Sequence, residues 1–132
     1  MSSDFETLWL PDRPDVVAPD GSDVRVLLRT ERGSMAHFEL AEGGTSLAVA
    51  HRSVEEVWYI LGGRGEMWRC FDSVEETVVI EARVCLTIPV GTRFQFRSLG
   101  PGPLAAVAIT MPPWPGEDEA YVVDGPWLPT QR

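Results

Sequence analysis

Apolar and polar residues alternate one by one through much of the middle of the chain, the period of a strand with one wet face. Ala36, Phe38 and Leu40 alternate with His37 and Glu39. Leu47, Val49 and His51 fall on one face of the next segment. Glu56, Trp58 and Ile60 then share a face, with Val57, Tyr59 and Leu61 on the other. Val24 to Leu28 reads as an earlier strand, Glu66 to Phe71 with Thr77 to Glu81 as a hairpin pair, and 86–88, 93–97 and 104–111 as the remaining strands. Gly62-Gly63-Arg64-Gly65 is a turn that needs positive φ, and Pro89 with Gly91 marks a tight corner. No segment has a helical period. Many short strands with close turns predict an all-β sandwich or barrel.

The two ends break this pattern. Residues 1–22 carry prolines at 11, 14 and 19 and read as an extended arm, because proline cannot donate to a sheet ladder. Trp9 and Leu10 are expected to anchor the arm, on the barrel or on a second subunit. Residues 112–132 form a proline-rich tail, in which Glu117 to Val123 reads as a short turn or strand. Trp114, held by stiff prolines, is expected to lie across an opening, against another subunit, or simply packed. Residues 23–111 form the single domain between.

Composition narrows the function classes. The net charge of -9 repels a phosphate backbone, so nucleic acid is not an expected partner. No apolar run reaches membrane-spanning length. The N-terminus lacks a basic segment followed by an apolar stretch, which makes the cytoplasm the default location. Cys70 and Cys85 fit a reducing compartment, either as half-buried thiols or as neighbours on paired strands.

Two stretches carry a family resemblance. Gly43 to Gly63 resembles the first motif of the cupin superfamily, G-x5-H-x-H-x3/4-E-x6-G, with Gly43, His51, Glu56 and Gly63 in place and Val49 where a metal-binding histidine would stand. Arg83 to Ser98 resembles the second motif, G-x5-P-x-G-x2-H-x3-N, keeping Pro89 and Gly91. There Phe94 replaces the histidine, Ser98 the asparagine and Arg83 the leading glycine. The resemblance implies a cupin-type double-stranded β-helix, a jelly-roll barrel, with His51 and Glu56 facing one cavity. It also implies a homodimer, through the arm and an exposed sheet face.

Cupins commonly bind a transition metal there with three histidines and a glutamate. Valine and phenylalanine cannot donate a lone pair, and two remaining ligands are fewer than a zinc or non-haem iron site requires. The expectation is therefore no metal and no other cofactor; a divalent transition metal on His51 and Glu56 is the alternative. His37 is the only other histidine and alternates onto the opposite face. Without a metal, His51 and Glu56 form either a general acid–base pair or a hydrogen-bonded remnant. Trp58, Phe94 and Phe96, joined by Trp68, read either as the wall of a binding pocket or as core. Arginines 64, 69, 93 and 97 read as surface ion pairs or an anion contact at the barrel mouth.

The function expected is a metal-independent barrel binding an apolar or aromatic small molecule through His51, Glu56, Trp58, Val49, Phe94, Phe96 and Trp68. One alternative is a metal-dependent isomerase or dioxygenase-like enzyme using His51 and Glu56. Another is an interaction module with a vestigial cavity.

Overall fold

The computed structural model describes residues 5–18 and 20–130. Met1 to Asp4, with which the chain opens, and Pro19 of the arm lie outside the described residues. Among the described residues eleven strands form two antiparallel sheets. One sheet has six strands in the order β1 (Val16–Val17), β2 (Asp23–Arg29), β3 (Ser34–Leu40), β10 (Leu104–Met111), β5 (Glu55–Gly62) and β8 (Cys85–Ile88). The other has five: β11 (Ala120–Val122), β4 (Val49–His51), β9 (Arg93–Ser98), β6 (Arg64–Phe71) and β7 (Val74–Glu81). Among the described residues the only helical turn is a 3₁₀ segment, Glu117–Glu119, and no helix is long and apolar enough to cross a membrane.

The core lies between the sheets. Leu40, Trp58, Ile60, Leu86, Ile88 and Leu104 from one meet Val49, Met67, Ile80, Phe94 and Phe96 from the other. Strand β5 shows why the alternation is legible: Glu56, Trp58 and Ile60 are buried, while Val57, Tyr59 and Leu61 are exposed. Gly63 (φ 77°) is the corner at which the chain leaves β5 for the opposite sheet, and a Cβ there would lie 2.3 Å from the Pro103 carbonyl oxygen. Gly91 (φ 81°) closes the Pro89 corner, and its N–H donates to the His51 carbonyl at 3.2 Å. The second motif's surviving glycine thereby ties down the strand that carries His51.

The chain ends are held otherwise than the sequence suggests. Trp9 is 94% exposed and Leu10 50% exposed, so neither anchors the arm on the barrel. Arg25 does so instead, with its guanidinium donating to the carbonyls of Pro11 (2.6 Å) and Asp12 (2.9 Å). The carbonyls of a proline-broken segment have no ladder partner, and a five-donor fork satisfies two of them at once. Val16–Val17 then pairs with β2. His37 lies beside Arg25 on the outer face, away from the core, as its alternation requires. The cysteines are not neighbours: Cys70 is buried on β6 and Cys85 exposed on β8, in different sheets. At the C-terminus, β11 pairs with β4, and Glu119 accepts hydrogen bonds from Ser53 N–H (2.6 Å), Ser53 Oγ (2.7 Å) and Val54 N–H (2.8 Å).

Candidate functional site

Inward side chains near one end of the barrel enclose a cavity of about 280 Å³. It is bordered by Val49 and His51 from β4, Glu56 and Trp58 from β5 and Phe94 from β9, the positions that the motifs single out. Strand parity accounts for this. Val49 and His51 are two apart, as are Glu56 and Trp58, and Phe94 stands opposite Val49 in register.

Trp58 organises the aromatic wall. Its ring stacks on Phe38 (centroids 5.4 Å apart, 15° between planes) and meets Phe94 and Phe96 edge-on at 6.2 and 5.2 Å. Its indole N–H donates to Glu56 Oε1 at 2.6 Å. His51 is edge-on to Phe94 (5.3 Å) and to Trp114 (5.1 Å). Trp114 is fixed by its backbone N–H, which donates to Ser34 Oγ at 3.0 Å, so the tail closes one side of the cavity.

Glu56 and His51 are 3% and 5% exposed, and their facing atoms, Oε2 and Nδ1, are 3.9 Å apart. That distance is within ion-pair range but too long for a hydrogen bond. Burial moves both groups toward neutrality. It pushes the Glu56 carboxyl up to about 7, against the pull of the Trp58 N–H and with help from the charges of Asp20 and Glu119. It lowers His51 to about 4, against the opposing charge of Glu119. Between about pH 4 and pH 7 the pair therefore sits side by side uncharged, and His51 Nδ1 has no hydrogen-bond partner among the described residues. Burial also raises Asp20, although the Ser22 N–H and Oγ both donate to its Oδ1. In Glu119 burial pushes upward too, but hydrogen bonds from Ser53 and Val54 outweigh it and hold the carboxylate below its ordinary range.

A transition metal does not fit these residues. Among the described residues no three His, Cys, Asp or Glu side chains are grouped to hold an ion. One carboxylate oxygen of Glu56 is already taken by Trp58, and Val49 and Phe94 bring carbon to the two positions where the motifs would have histidines. One imidazole and half a carboxylate fall short of the three protein ligands of a catalytic zinc site.

Two residues expected in the pocket lie elsewhere. Trp68 stands opposite Gln95, on the outer face of its sheet, where its N–H donates to Glu75 at 2.6 Å and it packs with Ala48 and Trp127. Its neighbour Met67 takes the inward position opposite Phe96. Phe96 is core, beneath Trp58, and does not border the cavity. Of the four arginines read as surface pairs or an anion contact, Arg64, Arg69 and Arg97 bridge to Glu81, Glu76 and Glu66. Arg93 lies against Cys70. The cavity also uses residues that the sequence reading passed over: Asp20, Phe38, Arg29, Ser34 and Thr110. Asp20 precedes Gly21, a pairing that in sequence signals only a turn, and Arg29 sits past a register shift in β2 that hides which face it takes.

Two facing antiparallel sheets around one inward-facing pocket define a double-stranded β-helix, and this chain has the cupin fold. An uncharacterized protein of Methanocaldococcus jannaschii is 29% identical over 107 residues, which cover 77% of this chain and 82% of that protein. A conserved Klebsiella pneumoniae protein with a double-stranded β-helix domain superposes with a TM-score of 0.70 at 13% identity, over 92% of this chain and 100% of that one. The capsular polysaccharide assembling protein CapF of Staphylococcus aureus superposes with a TM-score of 0.69 at 16% identity, over 82% of this chain; the match spans 33% of CapF. No family model matches the chain. These likenesses establish the fold, which hosts many unrelated activities.

Proposed function

We propose that this protein is a small-molecule-binding cupin barrel that works without a metal and takes an apolar or aromatic ligand. The observation that supports this reading best is the floor of the cavity. There a carboxyl that burial pushes toward neutrality and an imidazole nitrogen without a partner among the described residues, 3.9 Å apart, face an aromatic enclosure. Apolar walls with a few convergent polar groups are the usual chemistry of a ligand site. A buried nitrogen without a partner costs about 1–3 kcal/mol, and a ligand hydroxyl that donates to it recovers that cost. The cavity lies at the small end of ligand-site volumes, which suits a compound of one or two rings.

A thermal-shift screen of aromatic acids, lactones and sugars, alongside elemental analysis of untagged protein, tests this reading. A true ligand at 100 times its Kd stabilises the fold by about 2.7 kcal/mol, and His51→Phe abolishes the shift. One equivalent of bound transition metal overturns the metal-free reading. Chelator treatment is expected to leave the melting temperature unchanged.

A second reading has its own support. A carboxyl that titrates near 7 beside an imidazole is matched to proton transfer at neutral pH, as an isomerase or cyclase requires. Under that reading Glu56→Gln retains ligand affinity and loses turnover of any substrate found. Full turnover in that variant eliminates it.

A further inference from the structure

The inner face of the six-stranded sheet carries a feature that lies in neither motif. Arg29 on β2 stands opposite Ser34 on β3, Ser34 opposite Thr110 on β10, and Thr110 opposite Glu56 on β5. Residues in direct register share a face, so these four form one polar rung across four adjacent strands, and all four border the cavity. The neighbouring rung is Val26, Ala36, Ala108 and Trp58, and the next is Val24, Phe38, Ala106 and Ile60. A single polar line thus runs along an apolar floor.

The middle of the line is already satisfied. The Ser34 and Thr110 hydroxyls bond to each other, and Ser34 Oγ also accepts the Trp114 N–H. The ends are not. At one end His51 Nδ1 lacks a partner, beside the free oxygen of Glu56. At the other, Arg29 is exposed and, like several other surface arginines, makes no ion pair among the described residues. What sets Arg29 apart is its place: among the described residues no other arginine borders the cavity. Three strand spacings, about 14 Å between backbones, separate Arg29 from Glu56, and His51 stands beside Glu56 on the facing sheet.

We propose that the cavity selects a monoanionic aromatic acid carrying a hydroxyl at its far end. The carboxylate meets the Arg29 fork at the mouth, the ring lies along Phe38, Trp58 and Phe94, and the hydroxyl donates to His51 Nδ1. A guanidinium matches a carboxylate with two parallel hydrogen bonds. One cation balances one negative charge; a phosphate dianion would keep a surplus charge inside a largely apolar enclosure with no second cation to meet it among the described residues. This assignment rests on the small-molecule-binding reading above and adds the ligand's charge and direction to it.

Calorimetric titration with para-hydroxyphenylpropanoate, its methyl ester and phenylpropanoate, on the unaltered protein and on Arg29→Met, tests it. The acid is expected to bind the unaltered protein at least tenfold more tightly than the ester. Arg29→Met brings the acid down to the level of the ester and leaves the ester unchanged. Loss of the hydroxyl weakens binding to both proteins by the same factor. Equal affinity for acid and ester, or an Arg29→Met protein that binds the acid undiminished, overturns the assignment while leaving a binding barrel. No binding by any of the three overturns the assignment, and silence across the wider thermal-shift screen as well overturns both. The acid-to-ester ratio on the unaltered protein needs no variant, so the test survives a misfolded Arg29→Met.

Discussion

The carboxyl of Glu56 and the ring of His51 are both shifted by burial, in directions that oppose each other as pH changes. Glu56 is raised from 4.5 to about 7. Its folded form holds a proton that the unfolded form releases, so the stability it contributes is complete below about pH 4.5 and is lost as pH rises to about 7. His51 is lowered from 6.5 to about 4, so its neutral form contributes stability that is complete above about pH 6.5 and is lost as pH falls to about 4. The two slopes largely cancel in the unaltered protein. Glu56→Gln is expected to expose the histidine slope, with stability rising between pH 4 and 6.5. That variant should also exceed the unaltered protein by about 3 kcal/mol or less above pH 7. His51→Gln is expected to expose the opposite slope, with stability falling between pH 4.5 and 7. Urea unfolding across that range measures both, and flat profiles in both variants would remove the neutral pair from the account.

At the scale of elements, the barrel depends on places where the backbone passes too closely for any side chain. Gly65 lies in β6, where a Cβ would meet the Arg97 carbonyl oxygen at 2.0 Å. Gly65→Ala must therefore push β6 and β9 apart, and a loss of about 3 kcal/mol is expected in denaturant titration. The tail has a different kind of fastening. Glu119 caps the turn before β5 with three hydrogen bonds while its own segment leads into β11. Glu119→Ala is expected to cost about 2 kcal/mol at neutral pH and to speed amide exchange along β11 and β4, with β6 and β9 unaffected. Uniform exchange across all four strands would show that the tail is not separately fastened.

Most of these elements could be read from the chain because each strand has one wet face. The alternation in β5 and β3 fixes their buried positions directly, and the motif spacing brings Val49, His51, Glu56 and Phe94 to one cavity, where they are found. The rest depends on pairing. Trp68 reads as inward only if β6 is entered one residue out of phase, and nothing local to the chain sets that phase. Arg29, Ser34, Thr110 and Glu56 are scattered over 82 residues of sequence, and only strand register aligns them.

On the scale of the whole molecule, the outward surface of the six-stranded sheet leaves Val57, Tyr59 and Leu61 exposed, and the arm that Arg25 clamps to that side carries a fully exposed Phe5 and a nearly bare Trp9. The homodimer implied by the sequence resemblance has its candidate contact there. Sedimentation equilibrium is expected to show a dimer that Trp9→Glu and Tyr59→Glu each dissociate without altering the circular dichroism. A monomer at all concentrations, or a dimer indifferent to both changes, places association elsewhere.

Both ends of the chain supply part of the same enclosure: Val16 and Val17 on one side, Trp114 and Ala120 on the other. A fragment trimmed to β2 through β10, Asp23 to Met111, would lose the Glu119 fastening and offer compounds an open trough. Screens run on such a fragment, or on protein whose tags strain either terminus, would report silence for reasons of carpentry alone.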